Sequence, residues 1–118
     1  MADKVNITEK LASFNDTWAP RIVARYNDYE VRLVKVDGEF VWHRHDDTDE
    51  LFLILDGELD MEFRDRTVTL GPGELIVVPK ATEHRPCARR GLVKMLLMDP
   101  KDMPNTGDPA TATVAVEI

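Results

Sequence analysis

Polar and apolar residues alternate most strictly from Leu59 to Arg64, where Leu59, Met61 and Phe63 interleave with Asp60, Glu62 and Arg64. Successive strand residues face opposite sides, so this stretch predicts a half-buried strand, apolar inside and charged outside. Ala112, Val114, Val116 and Ile118 repeat that period at the C-terminus. Denser apolar runs at 51–55, 75–78 and 92–98 predict strands with little exposed surface. Val68 and Leu70 carry the chain on after a turn at Asp65-Arg66. Upstream, 21–26 and 29–37 predict two strands joined at Asn27-Asp28. In the second, the apolar phase slips between Leu33 and Val34, which implies a bulge or burial on both faces. Asp37-Gly38 predicts a hairpin turn into a strand over 40–45, and Asp56-Gly57 and Gly71-Pro-Gly73 mark further turns. The N-terminus follows another period. Ile7, Leu11 and Phe14 share one face of a short helix over 6–14, with Asn6 as cap and Glu9 at the capping-box position. Many short strands between turn signals make the fold class all-β, a sandwich or barrel with a short N-terminal helix.

At 118 residues the chain suits one domain. We divide it into a helical extension (1–19), a β-barrel (20–98), and an arm with a terminal strand (99–118). The arm holds three prolines and a glycine between 99 and 109, and its last strand must pair with its own sheet or with a partner's. Twenty-two acids against 15 bases give a net charge of −7. That balance, with no run of three basic residues, predicts no nucleic-acid partner. The lone Cys87 excludes an internal disulfide and fits a reducing compartment. No apolar signal core and no run near ~20 apolar residues is seen. The expectation is a cytoplasmic protein that does not engage a membrane.

The chemistry concentrates between Gly38 and His84. All three histidines lie there. If 40–45 is a strand, His43 and His45 project from one face. Glu50 follows across a short turn, and His84 arrives from a second hairpin. Three imidazoles and a carboxylate at one point make a first-row transition-metal site with one or two open positions. Iron, manganese, nickel, zinc and copper all tolerate such donors, so one divalent transition metal per chain is expected and its identity is open. The bland alternative is a polar barrel interior without metal.

This stretch resembles the cupin superfamily. The first cupin motif, G-x5-H-x-H-x3–4-E-x6-G, is matched by Gly38, His43, His45, Glu50 and Gly57, with one residue fewer after the first glycine. The second, G-x5-P-x-G-x2-H-x3-N, is matched by Gly73, Pro79 and His84, while Ala81 and Ala88 stand where it has glycine and asparagine. The resemblance implies a double-stranded β-helix, or jelly-roll barrel, of the small single-domain type likened to phosphomannose isomerase. It implies His43, His45, Glu50 and His84 as the metal ligands. It also implies either a dioxygenase-like site using Fe(II) or an isomerase-like site in which the metal polarises a carbonyl. A non-enzymatic module that binds or senses a small ligand is the rival class, because one fold hosts many chemistries.

The other residues change this picture little. Asp46, Asp47 and Asp49 read as a solvated turn, with one of them a candidate to orient an imidazole. Glu83 points away from His84. Arg85, Arg89 and Arg90 read as a rim, and Cys87 as a small buried hydrophobe. Val41, Phe52, Ile54, Met61, Phe63, and Ile76 or Val78 are expected to wall an apolar cavity for a small-molecule substrate or ligand. No phosphate-binding loop or serine nucleophile arrangement accompanies them. Trp42 and Leu51, Leu53 and Leu55 face away from the donors and predict a homodimer interface.

Overall fold

In the computed structural model, which describes residues 2–118, each turn pair noted above sits where the chain changes direction or sheet. Helix α1 spans Ile7–Ala12 and is followed by strands β1 (Arg21–Tyr26), β2 (Tyr29–Glu39), β3 (Glu50–Asp56), β4 (Leu59–Phe63), β5 (Thr67–Leu70), β6 (Leu75–Val78), β7 (His84–Pro100) and β8 (Val116–Glu117). All strand pairs are antiparallel except β1 with β8. One side of the roll runs β5-β4-β7, the other β6-β3-β7-β2-β1-β8. Strand β7 belongs to both. Its first half pairs with β4 (Phe63↔His84 to Asp60↔Cys87), its second half with β3 (Asp56↔Lys94 to Leu51↔Met98), and β2 lies along its other edge from Cys87 to Pro100 with one interruption.

This ribbon explains why Asp37-Gly38 is not a hairpin turn. Strand β2 continues through it to Glu39, and the register jumps from Val36↔Val93 to Gly38↔Ala88. The residues skipped on β7, Arg89 to Leu92, are exposed, and Gly91 has φ +112° beside Gly38 at φ +80°. The turn signal therefore marks the bend at which two strands pass from one sheet to the other. The expected strand over 40–45 is likewise replaced by an irregular extended segment. Its one ladder contact is His43 with His84, whose backbones exchange hydrogen bonds of 3.1 and 2.9 Å.

The main core lies between the sheets: Val34, Val36, Phe52, Ile54, Leu59, Met61, Val93, Met95 and Leu97 are buried in one cluster. A second cluster, Leu11, Phe14 and Leu33, sits outside β2 under α1. The phase slip in β2 thus resolves as burial on both faces. Asn6 caps the helix by accepting from the Glu9 N–H at 3.0 Å. The helix stops at Ala12 rather than Phe14, and buried Lys35 donates to the Leu11 and Phe14 carbonyls at its end.

The outward apolar face is smaller than expected. Leu55 packs under α1, and Trp42 is covered by the guanidiniums of Arg64 and Arg85, 3.8 and 5.1 Å from its ring centre. Leu51 and Leu53 remain, facing the exposed cross-strand neighbours Val77 and Leu75. The terminal strand β8 is only Val116–Glu117 and pairs with β1 of the same chain. Before it, the arm crosses the roll. Arg32 Nη1 donates to the Met103 carbonyl at 3.0 Å, and Gly107, at φ +76°, lies so close to Arg44 that a Cβ would come within 2.2 Å of its carbonyl oxygen. Among the described residues, no helix is long and apolar enough to cross a membrane.

Candidate metal centre

His43, His45, Glu50 and His84 converge, each buried, with one donor atom apiece and all donors within 4.8 Å of one another. The irregular segment supplies the first two, Glu50 opens β3, and His84 opens β7. Glu50 Oε1 lies 3.3 Å from His45 Nε2 and 3.7 Å from His84 Nε2. Donors about 2.1 Å from a common ion stand about 3 Å apart when adjacent and about 4.2 Å apart when opposite. The donors are thus near enough to one another to share one ion.

The backbone fixes the chemistry of two rings. His43 Nδ1 is 2.9 Å from the Val41 carbonyl and His84 Nδ1 is 2.9 Å from the Thr82 carbonyl. A carbonyl only accepts, so each Nδ1 carries a proton, and Nε2 is the nitrogen through which the neutral ring can ligate. Burial, and next the neighbouring His84, hold the His43 imidazole down to about 4, which keeps it neutral. Burial pushes the Glu50 carboxyl up, but the His45 and His84 rings outweigh it and hold the group below the usual carboxylate range. His45 Nε2 and His84 Nε2 have no hydrogen-bond partner. Two buried imidazole nitrogens without partners, a third imidazole and one buried carboxylate are a donor set that fits a divalent transition metal.

The turn after the second motif's Pro79 braces this arrangement. The Ala81 N–H donates to the His45 carbonyl at 2.7 Å, and the Lys80 N–H to Asp49 Oδ1 at 2.9 Å. Ala81, standing where the motif has glycine, sits at φ +61°. Ala88, in the motif's asparagine position, is buried in the main core. Asp46 pairs with Arg44 at 2.8 Å, so neither it nor Asp49 orients an imidazole. Glu83 pairs with Arg64 on the outside. Cys87 is fully buried and its thiol is pushed up by that burial.

Beside the donors lies a cavity of about 30 Å³, room for two or three waters at roughly 10–15 Å³ each. Its walls correct the sequence expectation. Phe52 lines it, but Ile54, Met61 and Val78 are core, and Val41 is 54% exposed. The segment 40–43 is not a regular strand, so side-chain parity breaks there. Phe40 turns inward, edge-on to His43 at 5.2 Å and stacked on Trp18 at 4.7 Å. The remaining walls come from β2 and β7 (Arg32, Val34, Val36, Met95, Leu97 and Asp99), with Asn105 reaching in from the arm. The sequence reading missed Arg32 and Asp99. Arg32 shares a buried ion pair with Glu30 at 2.6 Å and lies 3.7 Å from Asp99 Oδ2. Burial, then the Glu50 charge, hold the Asp99 carboxyl well above the usual range. The one sequence signal for this network was a pair of charges at Glu30 and Arg32 on the face that carries Val34 and Val36.

A family model described as a cupin domain matches residues 30–98, a span that contains all four donors. The chain is a cupin. A cupin-2 domain containing protein from Shewanella frigidimarina NCIMB 400 is 46% identical, superposes with a TM-score of 0.81, and is matched over 82% of this chain and 94% of that one. Protein NMB1881 from Neisseria meningitidis is 29% identical with a TM-score of 0.76, over 84% of this cupin and 100% of that chain. The uncharacterized protein YdbB of Bacillus subtilis (strain 168) is 40% identical over 80 residues, 67% of this cupin. That match spans 65%, just under two thirds, of the length of this curated relative.

Proposed function

We propose that His43, His45, Glu50 and His84 ligate one divalent transition metal and that this cupin is a metal-dependent enzyme acting on a small, largely apolar organic molecule. The observation that supports it is the pair of buried imidazole Nε2 atoms without partners beside a buried carboxylate. Each such orphan costs about 1–3 kcal/mol in the fold, a cost that a cation removes. When bound, the metal supplies Lewis acidity and, if redox-active, one-electron chemistry. The chain's own residues do the remaining work. The Val41 and Thr82 carbonyls hold two rings in the ligating tautomer, and Val34, Phe52, Met95 and Leu97 keep bulk water from the donors.

The walls favour dioxygenase-like over isomerase-like chemistry on phosphosugars. They are mostly apolar, and Arg85, Arg89 and Arg90 are paired with Glu62, Glu39 and Asp60 rather than turned toward the cavity. The deciding experiment is metal analysis of protein purified without added metal, followed by oxygen-uptake screening on small aromatic, enolic and diketone compounds. Iron together with oxygen consumption is the expected result. Zinc without oxygen uptake would move the reading to an isomerase or to a ligand-binding module. The same proposal includes a homodimer through the exposed pairs Leu51–Val77 and Leu53–Leu75. Light scattering that shows only monomer at micromolar concentration would remove it.

A further inference from the structure

The cavity of about 30 Å³ beside the donors has room for water but not for the organic molecule of the proposed function. Such a molecule reaches the metal only if a wall moves. Most walls are fixed. Val34, Val36, Met95 and Leu97 belong to β2 and β7 and to the main core. Phe40 stacks on Trp18, whose N–H donates to the Lys35 carbonyl at 2.8 Å and whose Nε1 donates to the Asp37 carbonyl at 2.9 Å. Asn105 differs, because it comes from the arm between β7 and β8.

The arm is stitched to itself and barely to the body. The Thr113 N–H donates to Asn105 Oδ1 at 2.9 Å, the Ala112 N–H donates to the Asp108 carbonyl at 3.1 Å, and the Thr106 and Thr111 hydroxyls meet at 2.8 Å. Both ends are tied down: the Lys101 N–H donates to the Asp28 carbonyl at 2.9 Å, and β8 pairs with β1. Among the described residues, no hydrogen bond joins 104–115 to the chain outside the arm, and Met103 has one, from Arg32 Nη1 to its carbonyl at 3.0 Å. No residue from 101 to 118 is buried. Beneath this span lies a second cavity of about 230 Å³, between Met103, Pro104 and Val114 above and Ile22, Glu30 and Arg32 below. Arg32 is a wall of both cavities. A segment that is closed on itself, lies over a hollow and buries nothing is where local opening costs least.

We infer that residues 102–115 are a lid over the metal centre, which opens when the Met103 carbonyl leaves Arg32 and Asn105 leaves the cavity, joining the two cavities into one ligand pocket. This role rests on the metal reading for what the lid covers. Arg32 stays in place on opening, because Glu30 holds its Nε and Nη2 at 3.1 and 2.6 Å. The lid's other seat is Gly107, where φ is +76° and a Cβ would lie 2.2 Å from the Arg44 carbonyl oxygen. Arg44 stands between two donors whose backbones are held. His43 exchanges hydrogen bonds with His84, and the His45 carbonyl accepts from the Ala81 N–H. An added methyl at 107 therefore displaces the lid rather than the donor segment.

The test separates the lid from the metal site. The full chain is loaded with Co(II), and the visible absorption of the ion follows the entry of acetohydroxamate and of tropolone, two compact chelators larger than the closed cavity. Gly107→Ala should speed the entry of both by about tenfold or more, since it adds the clash to a left-handed backbone strain. Amide exchange over 101–115 should quicken with it, while exchange in β7 stays unchanged. Gly91→Ala meets the same kind of strain, at φ +112° with open space around it, and should change neither rate. If Gly107→Ala does not fold or loses Co(II), a Gly-Ser segment of equal length in place of 104–113 decides the matter and should speed entry likewise. Entry as slow as in the wild type, with Co(II) bound, would overturn the lid and leave the metal site standing. Absence of Co(II) binding by the wild type would overturn the metal reading and the lid with it.

Discussion

Two groups of charged side chains flank the first half of β7, and they are built on opposite principles. On the outside, Arg85, Arg89 and Arg90 interlock with Glu39, Glu62 and Asp60 of neighbouring strands, and every contact is a matched pair, from exposed at Glu39 to part-buried at Glu62 and Asp60. On the inside, the donors around His84 are buried and incomplete, with ring nitrogens that have no hydrogen-bond partner. The outer ladder is finished as it stands and contributes modestly, because exposed pairs are screened. The inner group is a stability cost that becomes a gain once something binds. Completeness of pairing, rather than density of charge, tells the functional cluster from the structural one.

The strongest way to break the comparison is to remove donors from the inner group. His43→Ala/His45→Ala should weaken metal binding by more than a thousandfold, on the order of 4 kcal/mol, well past the losses typical of residues that merely support a ligand. Elemental analysis and a calorimetric titration report it, and stoichiometric metal in the double variant would sink the assignment. In the wild type, metal about a hundredfold above its dissociation constant should add roughly 2.7 kcal/mol to stability.

Acid tests the inner group without mutation. The imidazole of His43 ordinarily titrates near 6.5 and is held down to about 4, chiefly by burial. Between these values the unfolded chain takes up a proton that the folded chain refuses. Stability of the metal-free protein should therefore be full above about pH 6.5 and fall as pH drops, with the loss from this ring complete below about pH 4. Its size is on the order of 3 kcal/mol. Glu50, held below its ordinary 4.5, works in the same direction and adds its loss below that pH. Denaturant midpoints at pH 7.5 and 4.5 measure the drop, and equal midpoints would argue against it.

A smaller effect sharpens the comparison. Ala81 braces His45 from a left-handed conformation that costs a non-glycine residue about 1–2 kcal/mol. Ala81→Gly should relieve this, less the entropy it adds to the unfolded chain, for a net gain of about 0.5–1 kcal/mol. A lower melting temperature in the variant would count against the strain. The smallest effect belongs to the outer ladder. Arg89→Ala should shift the melting temperature far less than metal does, and the shift should shrink in 1 M salt. A salt-independent loss would mean that the ladder is not what its exposure implies.

Legibility from sequence divides along the same line. His43, His45, Glu50 and His84 stood out because their spacing is local and their elements carry clear turn signals. Most strands were visible for the same reason. The first half of β7 was not, because Arg85, Pro86, Arg89 and Arg90 show no alternation; cross-strand carboxylates hold that stretch, and they lie far away in sequence. Asp99 and Arg32 were hidden because their significance comes from a cavity assembled by β2 and β7. Phe40 was not recognised as a cavity wall because side-chain parity fails where the chain leaves the ladder.

The ribbon of β2 and β7 also bears on how the protein acquires its site in time. Its register ties Tyr29 to Pro100 and Glu39 to Cys87, so long loops must close before either sheet exists, and topologies of this kind fold in milliseconds to seconds. The donors sit at one end of that ribbon, where His84 opens β7 and His43 bridges to it. We expect metal to bind after the ribbon has closed and not to template the search. It should leave the refolding rate unchanged and slow unfolding instead, so the ion acts on how long the native state lasts rather than on how fast it is reached.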